Sequence, residues 1–137
     1  MNCCICKKEI FKYPHNANPL MEGRCCKECN NKFVIPFRIF LLSKEKPTCA
    51  LLLKPQYVLE VLEPKKEYFT LEEKQKAVAG NIAIAPERMG DCFVVVNEEG
   101  ALRGMPPNLT GYNIFGWKYL GNILIVPEKI FEAPEEE

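Results

Sequence analysis

The chain has 137 residues, 47% hydrophobic and 26% charged, with a formal net charge of zero. That length admits one or two small domains, the composition is that of a globular chain, and the balanced charge excludes a generic polycation for nucleic acid or anionic membranes. The charge is unevenly spread: residues 1–38 carry seven Lys/Arg against three Asp/Glu, and residues 56–137 carry eight against fourteen. A basic front and an acidic back point to two units with different partners or to one unit with a dipole.

The opening, MNCCICKKEI, is polar and rich in cysteine, with no apolar core of a signal peptide. No apolar run approaches the roughly 18 residues of a membrane span. The expectation is a cytoplasmic protein with no membrane partner, in which clustered thiols stay reduced and hold metal.

Two Cys-x-x-Cys pairs are present, Cys3/Cys6 and Cys26/Cys29, separated by nineteen residues. This is the spacing of a four-thiolate zinc site, in which two tight turns each aim two sulfurs at one point. The predicted cofactor is one structural zinc per chain, held by Cys3, Cys6, Cys26 and Cys29. Cys4 and Cys25 give less usual spacings and are expected to be small fillers or outward thiols. His15, the only histidine, sits in the loop-like KYPHNANP and is expected at the surface. Four cysteines leave no open position for water, so the site is expected to be structural.

The stretch CKECNNKFVI predicts a helix that starts at the second cysteine pair and ends or kinks near Ile35, before Pro36. A turn, a hairpin and a ligand-bearing helix make a treble clef, and a zinc ribbon is the alternative. Residues 1–39, with CCICKKEI, GRCCKECN and FVIPFRI, resemble the N-terminal zinc module of small proteins encoded by phages and mobile elements. The resemblance implies zinc and the same ligand choice, and it implies no reaction.

Residues 40–55 read as a connection, with CALLL as a candidate short strand. Residues 56–131 read as a small α+β domain: a strand in YVLEVLEP, a helix from Thr70 to Gly80 opened by a Thr70/Glu73 capping box, a strand in NIAIAPE, and the strand CFVVVN. Asn97-Glu98-Glu99-Gly100 is expected to turn a hairpin with Gly100 at positive φ. A breaker-rich loop follows at 104–113, then the strand NILIVP and an acidic tail, 132–137. The fold class is therefore α+β: a small Cys4 zinc-binding module followed by a mostly antiparallel sheet with one packed helix. Through AVAGNIAIAP, VVVNEEGALRGMPPN and GNILIV, residues 57–126 are similar to a phage and mobile-element domain catalogued only as of unknown function.

Enzyme signatures are absent: there is no glycine-rich phosphate loop, no His-Glu-x-x-His and no Gly-x-Ser-x-Gly. Cys92 opens an apolar strand, and the acidic pairs Glu72/Glu73 and Glu98/Glu99 sit where solvated acids are ordinary. The expected role is a non-catalytic binding protein, and the phage resemblance implies one that engages a host protein or sequesters a small ligand. Loop 104–113 is its candidate surface, with Asn97, Arg103, Pro106, Pro107, Asn108, Thr110 and Asn113 as contacts. Nucleic acid is the alternative partner. Lys7, Lys8, Lys12, Arg24, Lys27, Lys32 and Arg38 would face phosphates, with Phe11, Tyr13 and Phe33 as stacking rings.

Overall fold

The computed structural model describes residues 1–43 and 45–134. In chain order the elements are β1 (His15–Asn16), β2 (Arg24–Cys25), α1 (Lys27–Cys29), a π-helical turn (Asn30–Val34), α2 (Ile35–Leu42), β3 (Ala50–Lys54), β4 (Val58–Leu62), α3 (Leu71–Val78), β5 (Ile82–Met89), β6 (Cys92–Asn97), α4 (Leu109–Phe115), β7 (Ile123–Pro127) and α5 (Glu128–Phe131). Strands β3 to β7 form one antiparallel sheet in the order β4-β3-β7-β6-β5.

The inner strands β3 and β7 read as unbroken apolar runs because both their faces are covered. Leu51, Leu53, Val94, Val96, Ile123 and Ile125 face one side and join Ile5, Phe33, Phe37 and Ile114 in a single core. Ala50, Leu52, Val95, Leu124 and Val126 face the other and pack with Phe69 and Val78, and with Ile130 and Phe131 of α5. The molecule is three layers thick: the cysteine unit with α2 and α4, then the sheet, then α3 and α5. The sequence division into a connection at 40–55 and a domain from 56 is corrected here. Leu51 to Leu53 of β3 are buried between β4 and β7, so the sheet begins inside the supposed connection.

Helix α3 begins as its residues predict. The Glu73 amide donates to Thr70 Oγ1 at 3.1 Å, and the Thr70 amide donates to the Glu73 carboxylate at 3.0 Å. Its end differs in detail. Ala79 takes the left-handed position, with φ +61°, and Gly80 follows at φ +155°. Gly80 is needed for room as well, since a Cβ there would lie 2.7 Å from the Arg103 guanidinium and the Asn97 amide.

Two expectations about turns are overturned. The hairpin is β5–β6, closed at Gly90-Asp91 with Gly90 at φ +55°, and Pro86 is tolerated because β5 is an edge strand. The segment 97–100 makes no hairpin, and Gly100 is not in the left-handed region. Instead, Asn97 Oδ1 accepts the Glu99 amide at 2.7 Å and the chain crosses to α4 before returning as β7. The segment 104–113, expected as a breaker-rich loop, contains the start of helix α4. A Cβ at Gly111 would lie 2.6 Å from Ile123 Cδ1, so the helix approaches β7 through that glycine. Trp117 stacks on Phe115 with centroids 4.4 Å apart, and Tyr119 donates to the Glu87 carboxylate.

Lys74 is 3% exposed beneath α5. Its ammonium donates to the Phe131 carbonyl at 2.8 Å and lies 3.7 Å from the Phe131 ring centroid. Burial lowers its pKa from 10.5. Between the lowered folded value and 10.5 the unfolded chain binds more protons, so this group makes stability rise with pH across that window. Lys74→Met keeps the stem's packing and removes the buried charge along with its hydrogen bond. It is expected to change stability at neutral pH by no more than about 1 kcal/mol. It should also abolish the part of the alkaline rise that Lys74 supplies. Urea melts of both proteins at neutral pH and just below 10.5 check this; identical pH dependence would refute it.

Candidate metal centre

Residues 1–10 fold back on themselves around the first cysteine pair. The Ile10 amide donates to the Met1 carbonyl at 2.8 Å, the Cys3 amide to Lys8 at 2.8 Å, and the Lys7 amide to Cys3 at 3.0 Å. Lys7 stands where a glycine would be easiest, at φ +67°, with its ammonium 2.9 Å from the Cys4 carbonyl. Between the two ligand candidates, Ile5 is fully buried in the core and its amide donates to Cys3 Sγ at 3.4 Å. A Cys4 amide bond to the Arg24 carbonyl, 2.9 Å long, joins this turn to β2.

The second pair is placed by the hairpin and the helix it feeds. Cys26 is the N-cap of α1, extended at φ −75° and ψ 166°, and its Sγ accepts the Cys29 amide at 3.5 Å. The chain stays helical through to Leu42, not ending at Ile35. It does so through the π-helical turn, closed by the Ile35 amide on the Asn30 carbonyl. That widened turn lies just before Pro36, whose ring and missing N–H disfavour an ordinary helical turn there. Arg38 on α2 then donates to the Asn16 carbonyl at 2.9 Å and to Asn18 at 2.7 and 2.9 Å, tying helix to hairpin.

Together these elements bring the sulfurs of Cys3, Cys6, Cys26 and Cys29 within 4.8 Å of one another, with Cys6 and Cys26 3.9 Å apart. Four sulfurs at about 2.3 Å from a tetrahedral ion would be roughly 3.8 Å apart, so the set could hold a metal ion. Among the described residues it is the only group of three or more His, Cys, Asp or Glu side chains so placed. Cys25 is fully buried in the core, where burial pushes its thiol up to about 11. Cys4 is half-buried against Gly23, whose added Cβ would lie 3.1 Å from Cys4 Cβ. His15 lies on β1, opposite Cys25 and outside the cluster.

The electrostatics favour a cation. Burial works against ionisation of Cys3, but amide donors from Cys26, Cys6 and Ile5 and the Cys6 thiol outweigh it and bring the group down to about 7. The Cys29 thiol is pushed upward by burial first, then by its contact with Cys26 and the negative charge of Cys3. One thiol ionises readily and its charge holds back its neighbours. A divalent ion would relieve that conflict.

The sheet that supports this cluster has a known kinship. A family model described as domain of unknown function (DUF3846) matches residues 48–130. The chain belongs to this family. No curated protein and no solved structure gives a match. The matched span opens just before β3, in accord with the sheet beginning there, and the cysteine cluster lies outside it.

Within the DUF3846 unit, the residues expected to form a partner-binding loop have other work. Asn108 is 1% exposed and caps α4 through the Gly111 amide at 2.8 Å. Its amide group donates to the carbonyls of Leu53, at 2.8 Å, and Gly121, at 2.7 Å. Thr110 is fully buried and donates to the Lys54 carbonyl. Asn97 is buried and donates to the Val78 carbonyl at 2.9 Å. Arg103 donates to Ala79 at 2.6 Å, and Asn113 to Tyr57 Oη at 2.7 Å. Arg103, Pro106 and Pro107 are exposed. The expectation is corrected for Asn97, Asn108 and Thr110, whose buried side chains satisfy backbone groups across the crossover and face no partner. Phe33 of the proposed stacking set is also corrected, being 1% exposed in the core.

Proposed function

We propose that this protein is a non-catalytic, zinc-stapled binding protein. The single observation that carries the zinc reading is the convergence of four cysteine sulfurs from two short turns. Thiolates at that spacing suit zinc, and four of them close its coordination sphere, which makes the ion structural. The order of a cysteine turn, a short hairpin and a helix bearing the second pair is that of a treble clef. A ribbon would need strands where α1 and α2 stand.

Support for a binding role comes from the groups that catalysis would otherwise recruit. Cys92 is 8% exposed, and burial pushes its thiol up to about 11, which suits packing and not nucleophilic attack. The phage and mobile-element setting, and with it a host protein or small ligand as partner in a cytoplasm, rests on the sequence resemblance. Among the described residues no helix is long and apolar enough to cross a membrane.

Metal analysis of the protein purified without added metal tests the zinc reading. One zinc bound by the four cysteines and no disulfide among them is the expected result. A folded protein free of metal would refute it. For the binding role, titration of a captured target should saturate near one-to-one, and turnover of many target molecules by one chain would refute it.

A further inference from the structure

Phe11 and Tyr13 are each 86% exposed, two residues apart on the irregular segment before β1. They do not stand on a bare convex tip. They line a groove between that segment and the start of α1, together with Lys8, Lys12, Lys27 and His15. Two carboxylates share the groove, Glu9 and Glu28, and Glu28 is held by Lys32 at 2.8 Å. Exposed Arg24 on β2 and Lys7 add further positive charge to the same unit. Single exposed apolar residues are ordinary on a protein surface. Paired rings set among lysines in a groove are the combination that grips unpaired nucleotides: bases stack on the rings and phosphates meet the ammonium groups.

We propose that this groove binds single-stranded nucleic acid, with Phe11 and Tyr13 as stacking platforms and Lys8, Lys12 and Lys27 as phosphate contacts. This goes beyond the reading above, which names a host protein or small ligand as partner, and rests only on its zinc-stapled, non-catalytic fold. A single strand is favoured over a duplex because stacking on a side chain requires a base with a free face. It is favoured over an anionic bilayer because the two rings alternate with lysines along a groove, matching the bases and phosphates of a strand. Arg38 and Phe33 take no part, since the first is tied to the β1 hairpin turn and the second is in the core.

The test is fluorescence anisotropy with the full, metal-loaded chain and a thymidine oligomer of roughly 10 nucleotides, within the site size of one small domain. Parallel arms use the matching duplex and vesicles of mixed phosphatidylserine and phosphatidylcholine. Binding should prefer the single strand and weaken with salt at a log–log slope of about −2, as three phosphate contacts give. Phe11→Ala and Tyr13→Ala should each weaken it roughly 5- to 150-fold. Lys12→Gln should flatten the salt slope. Because both rings are exposed, the ring variants should keep the wild-type melting temperature and metal content. No binding at low salt, binding unaffected by the ring variants, or vesicle binding without oligomer binding would each overturn the proposal. Those failures would leave one zinc per chain intact, whereas a metal-free folded protein would sink the underlying reading instead.

Discussion

Cys26→Ser is expected to unfold the whole protein, not merely its first forty residues. Cys26 is both a ligand candidate and the N-cap of α1. The core it organises is shared: Cys3, Ile5, Cys29, Phe33 and Phe37 lie in one cluster with Leu51, Val94 and Ile125 of the sheet. Losing the staple exposes one face of that sheet. Structural zinc in small modules is worth about 10–16 kcal/mol of apparent binding energy, comparable with a whole domain's stability of about 5–15 kcal/mol. The substitution should therefore remove most of the stability, and a strong chelator should do the same to the wild type. Trp117, the only tryptophan, reports on this from the sheet side. It stacks on Phe115, whose ring is 6.3 Å from Phe37 of α2. Trp117 fluorescence and far-ultraviolet circular dichroism should change together on chelation. Metal loss that leaves Trp117 and the sheet signal native would show two independent units. Cys4→Ser, in contrast, should cost on the order of 1 kcal/mol and keep the metal.

Asn108→Ala should be the most damaging change outside the cysteine cluster. It removes a helix cap and leaves the Leu53 and Gly121 carbonyls without their buried donor. A lost cap costs about 1 kcal/mol and each of the two orphaned buried groups about 1–3 kcal/mol, so about 3–7 kcal/mol is expected in total. Asn108→Asp separates the roles. It keeps the cap acceptor but sets a carboxylate against two carbonyl oxygens, so it should be no better than alanine. Pro106→Ala and Pro107→Ala, at exposed positions of the same segment, should stay within about 0.5 kcal/mol. Urea denaturation of the four variants decides it. A stable Asn108→Ala protein would show that this residue is not the keystone of the crossover.

Features set by neighbours in the chain were legible in the residues. The paired Cys-x-x-Cys turns, the Thr70/Glu73 capping box, and the apolar runs of β3, β6 and β7 each depend on a few adjacent positions. So the four cysteines that converge, the start of α3 and the α+β class followed from spacing and periodicity. Features set by contact between distant segments did not. Nothing local distinguishes Cys25 from Cys26; the hairpin turns one into the core and leaves the other to cap α1. Asn108 looks like a loop residue until Leu53 and Gly121 are beside it, and Gly111 looks like a helix breaker until Ile123 occupies the space its side chain would fill. Likewise, CALLL reads as a short strand within a connection, and nothing local marks it as interior to a sheet. Its pairing with β4 and β7 makes it an inner strand, because hydrogen-bond partners and burial on both faces come only from the assembled sheet.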